Sequence, residues 1–81
     1  MMQAGYLLAQ YLLKKLNASG SAAARNQLAA FVGMATASTI VCILQAGGVA
    51  ALTVWFGANS AVVGALAGPF GVVGLAVIGA L

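Results

Sequence analysis

An apolar run of unusual length dominates this sequence. Residues 27–56 contain neither a charged residue nor a proline, and as a continuous helix they would extend about 45 Å at about 1.5 Å per residue. A bilayer needs only about 20 apolar residues for one crossing. The run therefore predicts a long apolar helix. The pair Gly47 and Gly48 predicts a bend within it rather than an end, because the sequence on both sides stays apolar.

Charge is nearly absent from the chain and is confined to one window. Charged residues make up 4% of the sequence and hydrophobic residues 64%, whereas about a quarter of the residues in ordinary soluble domains are charged. The charged residues are Lys14, Lys15 and Arg25, and the sequence has no Asp, Glu or His. Salt bridges between side chains are therefore excluded. The net charge of +3 favours anionic partners, such as lipid headgroups or nucleic-acid phosphates.

The missing side chains also bear on catalysis. General acid–base chemistry needs a group that titrates near neutrality, and metal sites need His, Asp, Glu or several Cys. The single cysteine, Cys42, has no histidine to activate it. The sequence thus predicts a protein that is not an enzyme and has no catalytic cofactor or metal. Cys42 lies in an apolar run and is expected to pack as a small core residue.

Two segments break the apolar pattern and predict turns. Residues 14–26 carry the three cations together with Asn and Ser residues, and residues 57–61 read "GANSA" directly after Trp55 and Phe56. The prediction is one all-α domain over residues 1–81, a hydrophobic hairpin of two long helices that glycine or proline can kink. The basic turn would lie at the cytoplasmic face of a membrane and the second turn at the opposite end of the hairpin.

Small residues recur at helical spacing on both sides of the second turn. The positions expected to let another helix approach closely are Ala29, Gly33, Ala37, Gly64, Gly68, Gly71 and Gly74. The glycine spacing matches neither phosphate-binding pattern, G-x-G-x-x-G or G-x-x-x-x-G-K-[ST], so a glycine-rich phosphate cradle is rejected.

The two ends of the sequence are apolar. Residues 68–81, "GPFGVVGLAVIGAL", followed by the first residues, "MMQAGYLLAQYLL", read as one apolar helix. Desolvating an unpaired terminal charge beside oily helices is costly. A head-to-tail peptide bond between Leu81 and Met1 would remove both charges. The alternative expectation is that both termini reach water or headgroups at one membrane face.

The chain resembles the conjugative pilins of type IV secretion systems in four features. These are the "GPFG" of residues 68–71, the stretch rich in Gly, Ala, Val and Ile after it, the basic loop and the second apolar helix. The resemblance is to the T-pilin type, some members of which are cyclic. It implies a helical filament of many copies with bound structural lipid, enclosing a lumen through which DNA passes between cells. Lys14, Lys15 and Arg25 would face that lumen. Its implied partners are further copies of the chain, membrane lipids, the secretion machinery and transient nucleic acid. The implied location is an extracellular pilus, inserted in the cell membrane before assembly.

Two other functions fit a small, apolar, cationic chain. A circular bacteriocin acts on target membranes as a compact helical bundle, although three cations are few for such a soluble bundle. A small integral membrane protein, such as a holin or a secretion component, would span the bilayer as a hairpin.

Overall fold

The protein is helical throughout the part of the chain that the structure describes. The structure is a computed structural model that describes residues 4–70, and within that range only Gly20, Gly33 and Asn59 lie outside helices. The helices are α1 (Ala4–Ser19), α2 (Ser21–Val32), α3 (Met34–Ala58) and α4 (Ser60–Phe70). Residues 4–70 contain no strand. The predicted all-α class is therefore confirmed.

Single residues separate consecutive helices. Gly20 and Gly33 have φ values of +87° and +85°, and Gly48 interrupts α3 with φ +71° and ψ −163°. L residues that have a Cβ rarely adopt positive φ, so each break requires glycine. The predicted bend at the Gly47–Gly48 pair is confirmed, with Gly48 as the non-helical residue.

The helices are shorter than the two long helices that the sequence predicts. The prediction of an unbroken helix over residues 27–56 is wrong at Gly33, where α2 ends and α3 begins. Residues 14–26, predicted as a turn, are helical except at Gly20. The amides of Gly20 and Ala24 still donate to carbonyls four residues back, at 2.9 and 3.0 Å. Ala, Leu, Lys and Arg are strong helix formers, and they outweigh the few Asn and Ser residues in that segment.

The break between α3 and α4 lies within residues 57–61. Asn59 has φ −132° and ψ 56°, and its side-chain amide donates to the Trp55 carbonyl at 2.8 Å. Its carbonyl accepts the backbone N–H of Val62 at 3.0 Å. Asn59 thus satisfies a terminal carbonyl of one helix and a terminal amide of the next, groups that would otherwise lack partners.

The helices form a bundle with principal dimensions of 34 × 25 × 23 Å. Each helix contacts the other three, and α3 makes its most extensive contacts with α2 and α1. Buried positions recur three or four residues apart along the helices. The core consists of Leu8, Ala9, Leu12, Ala24, Leu28, Ala37, Ile40, Val41, Leu44, Leu52, Phe56, Leu66 and Ala67.

The core contains apolar side chains alone among the described residues, since no polar or charged residue there is buried. With no acidic residue in the sequence, helix-capping carboxylates and side-chain ion pairs are also excluded. Tertiary stability therefore comes from apolar burial and packing, while backbone hydrogen bonds hold the helices. Such a core carries no directional polar contact that would specify one packing of the helices over another.

Candidate functional site

The three cations lie on two helices that meet at Gly20. Lys14 and Lys15 are in the second half of α1, and Arg25 is in the second turn of α2. Lys14 is exposed, whereas Lys15 and Arg25 are half-buried. We call these three residues the cationic surface.

Lys15 and Arg25 rest their stems on the bundle. The Lys15 ammonium lies 5.9 Å from the centre of the Tyr11 ring, within reach of a cation–π attraction. The Arg25 Nε is enclosed and has no hydrogen-bond partner among the described residues. Long basic side chains commonly cover apolar surface with their stems while the charged end stays in water.

A small apolar cavity shows how the two helices come together. Its volume is about 10 Å³, about the space that one water needs. Lys15 of α1 lines it together with Ala24 and Gln27 of α2. Lys15 therefore lies where α1 meets α2, the helix that carries Arg25.

A wider groove lies between α1 and Val49 of α3. Its volume is about 400 Å³ and it is lined by Leu7, Gln10, Tyr11, Leu13, Lys14 and Val49. The Gln10 amide donates to the Tyr6 hydroxyl at 3.0 Å, which keeps that polar side chain along α1. Lys14 is the charged residue of the groove, and the remaining wall is largely apolar.

Large apolar side chains are exposed on both sides of the joint at Gly33 and near the end of α3. Phe31 is 47% exposed, Met34 52% and Val54 76%. Single exposed apolar residues are normal in soluble proteins. Here they occur on a chain with only three charged side chains, so little of the bundle surface is strongly hydrated.

One helix among the described residues is long and apolar enough to cross a bilayer. It is α3, with a mean hydropathy of 1.9, and 28% of its most apolar window is buried in the bundle. Core helices of soluble proteins can have the same length and composition. The other residues of that window in α3 are half-buried or exposed.

The residues predicted for helix packing occupy different environments. Ala37 is fully buried and Ala29 is partly buried against the core, whereas Gly33 is the exposed joint between α2 and α3. Gly64 and Gly68 are exposed, and a Cβ built on either would meet no atom within 4 Å. Contacts between copies through these positions remain a prediction. Gly71 and Gly74, and the proposed bond between Leu81 and Met1, lie outside the described residues.

Cys42 lies on the surface of α3, so the expectation that it packs in the core is wrong. Its neighbour Val41 faces the core instead. A run of consecutive apolar residues has no polar positions to mark its outer face, and the helical phase is therefore set by packing against α1 and α2.

Sequence reasoning missed the close approach of α1 to the end of α3. A Cβ built on Gly5 would lie 3.2 Å from the Phe56 Cβ, and Phe56 is almost fully buried. The available signal was a glycine within a segment of good helix formers. Glycine there lowers helix stability by about 1 kcal/mol, so its presence indicates a position where another part of the chain packs closely.

Comparisons with known proteins give this chain no relative. A scan against protein-family models, a search of curated proteins and a search of solved structures each found no match.

Proposed function

We propose that the protein acts on lipid membranes as a small cationic helical bundle, in the manner of the bacteriocin class considered above. The observation that carries this proposal is the cationic surface: Lys14, Lys15 and Arg25 lie without any acidic counterpart on a bundle that exposes large apolar side chains. The same bundle offers no acid–base pair or histidine for chemistry.

The electrostatic contribution can be estimated. A Lys or Arg near an anionic bilayer surface contributes about 1 kcal/mol, so three cations supply roughly 3 kcal/mol. Insertion of exposed apolar side chains adds roughly 25 cal/mol for each Å² removed from water. Few hydrated groups oppose transfer of this bundle from water to the bilayer, because charge is scarce over its whole surface.

Vesicle leakage tests the proposal. We expect the protein to release an entrapped dye from vesicles that contain phosphatidylglycerol, and to act less on vesicles of phosphatidylcholine alone. Lys14→Gln, Lys15→Gln and Arg25→Gln combined should weaken binding to the anionic vesicles roughly 100-fold, since about 1.4 kcal/mol is tenfold. The matched control, Lys14→Arg, Lys15→Arg and Arg25→Lys combined, keeps the charge and should retain activity. Equal leakage by the neutral and the charged variants would contradict the proposal.

A second candidate function is the subunit of a conjugative pilus, a lipid-containing helical tube for DNA transfer between cells. The length and partial exposure of α3 favour it, because the exposed positions of a 25-residue apolar helix are stabilised by lipid or neighbouring copies around them. In that assembly the chain would form the predicted hairpin. Its cationic surface would then line the lumen, where it would balance anionic headgroups or the charge of passing DNA.

Electron microscopy of the purified protein with lipid separates the two functions. Long filaments would favour the pilin and exclude a bundle that acts as separate copies. Dye leakage without filaments would favour the membrane-acting bundle. Insertion into vesicles with neither result would favour a small integral membrane protein.

A further inference from the structure

The two breaks in the central apolar run have the same physical cause. Gly33 and Gly48 each have positive φ, and a Cβ built on either would meet no atom within 4 Å. The sequence across both joints, "FVGMA" and "AGGVA", has no proline and no polar turn residue. Nothing in the local sequence prevents either glycine from adopting helical φ and ψ. Glycine populates negative φ about as readily as positive φ.

The backbone hydrogen bonds at Gly33 do not have to break for α2 and α3 to form one straight helix. Its N–H donates to the Ala29 carbonyl and its carbonyl accepts the N–H of Ala37, both at 3.0 Å and both in the α-helical pattern. Rotation of Gly33 into helical geometry keeps these two bonds. It also allows the bonds of the same pattern that the break interrupts, such as Met34 N–H to the Ala30 carbonyl.

The kink at Gly48 decides whether α3 can cross a bilayer. Residues 34–47 and 49–58 would extend only about 21 and 15 Å as helices, at about 1.5 Å per residue. The hydrocarbon core of a bilayer is about 30 Å thick. Straightened at Gly48, α3 extends about 38 Å and spans it. The helix that is long enough to cross is thus broken in the bundle into two pieces that are each too short.

The solvent determines which form is stable. In water, straightening would expose core side chains of α3 such as Ile40, Leu44 and Phe56, which the bundle covers almost completely. In lipid these side chains remain in an apolar medium when they leave the core, so the hydrophobic cost largely disappears. No polar or charged residue of the described part of the bundle is buried, so no polar pair holds its core closed.

We infer that Gly33 and Gly48 are the joints at which the bundle opens in lipid into a straight helix over residues 21–58. This inference rests on the proposed membrane-bound function. The straight helix separates Arg25 from Trp55 by about 45 Å, which matches the roughly 40–45 Å between the outer edges of the two headgroup layers. The cation and the indole would each lie at an interface, where such side chains are favoured. The open form contains the long helix of the predicted hairpin.

A distance between spin labels tests the inference. In a Cys42→Ser background, nitroxides at Ala22→Cys and Ala58→Cys occupy two exposed positions. They would be about 54 Å apart on a straight helix, well beyond the 34 Å longest dimension of the bundle. We expect the long distance in protein reconstituted into phosphatidylglycerol vesicles by detergent removal, and a short one in dilute buffer. A distance of 34 Å or less in the vesicles would overturn the inference.

Two glycine variants strengthen the test. Gly33→Ala with Gly48→Ala disfavours positive φ and favours helix, and should therefore lower the ratio of phosphatidylglycerol to protein at which the long distance appears. Gly64→Ala with Gly68→Ala is the matched control, because both glycines are helical, exposed and open at the Cβ position. If the first pair leaves that ratio unchanged, or if both pairs lower it equally, the assignment to these two joints is wrong.

The same vesicles separate this inference from the proposed function. Reconstitution places the protein in lipid whether or not it attacks membranes from outside, whereas leakage is measured after addition to preformed vesicles. Leakage with a short distance rejects the opening alone. A long distance without leakage rejects the membrane-disrupting function and retains the opening.

Discussion

Gly5 of α1 packs directly against Phe56 near the end of α3. A Cβ built on Gly5 would lie 3.2 Å from the Phe56 Cβ, and the Phe56 side chain is 1% exposed. This contact joins the start of α1 to the second half of α3, beyond the kink at Gly48. It therefore holds together parts of the chain about fifty residues apart.

Gly5→Val should destabilise the bundle by about 1–3 kcal/mol, the range for overpacking a filled site. The added methyl groups would push Phe56 out of its buried position. Urea unfolding followed by circular dichroism, in the buffer or micelle that keeps the chain folded, measures the change. Gly64→Val is the control, because the space at Gly64 is open. Equal stability of the two variants would show that α1 does not approach Phe56 this closely.

Asn59→Ala should lower the stability of the bundle by about 0.5–1.5 kcal/mol, the usual net contribution of one hydrogen bond. The substitution removes the bond from the Asn59 amide to the Trp55 carbonyl and leaves that carbonyl without this partner. Ser60→Ala provides the comparison at an exposed neighbour and should change stability by less than about 0.5 kcal/mol. Thermal unfolding of both variants beside the unmodified chain decides the matter. An unaltered midpoint for Asn59→Ala would argue against the cap.

Local sequence rules predict the helices of this protein better than their breaks. Helical structure and the bend at Gly48 follow from apolar, proline-free sequence and paired glycines. The break at Gly33 does not, since a single glycine within a helix costs only about 1 kcal/mol and tertiary packing decides its conformation. Cys42 illustrates the same limit for burial. In a run with no polar face, only contacts with other helices determine which side chains point inward.

The sequence predicts which residues form the candidate site but not how they are arranged in space. Lys14, Lys15 and Arg25 are the only charged side chains, so the sequence identifies them directly. The half-buried positions of Lys15 and Arg25 depend on α1 and α2 being helical on either side of Gly20, where the sequence predicts a turn instead. The Tyr11 ring beside Lys15 follows from helical spacing of four residues.

Arg25→Met should raise the stability of the bundle by about 1 kcal/mol while it weakens binding to anionic vesicles. The enclosed Nε has no hydrogen-bond partner among the described residues, and leaving a buried donor unpaired costs about 1–3 kcal/mol. The methionine retains an apolar stem of similar shape. Lys14→Met removes an exposed charge and should leave unfolding nearly unchanged. A less stable Arg25→Met variant would mean that the guanidinium makes a stabilising contact.

Leu8→Ala should destabilise the bundle by about 2–5 kcal/mol, because it removes a fully buried side chain and leaves a cavity where α1 packs into the core. Val54→Ala, on the outer face of α3, should change stability by less than about 0.5 kcal/mol, since Val54 is 76% exposed. Urea unfolding in dilute buffer measures both. The two substitutions should also respond differently to lipid. If the bundle opens in the bilayer, the penalty at Leu8 should shrink in vesicles, because hydrocarbon replaces the lost contacts. A penalty of the same size in buffer and in vesicles would show that the closed core persists in the membrane.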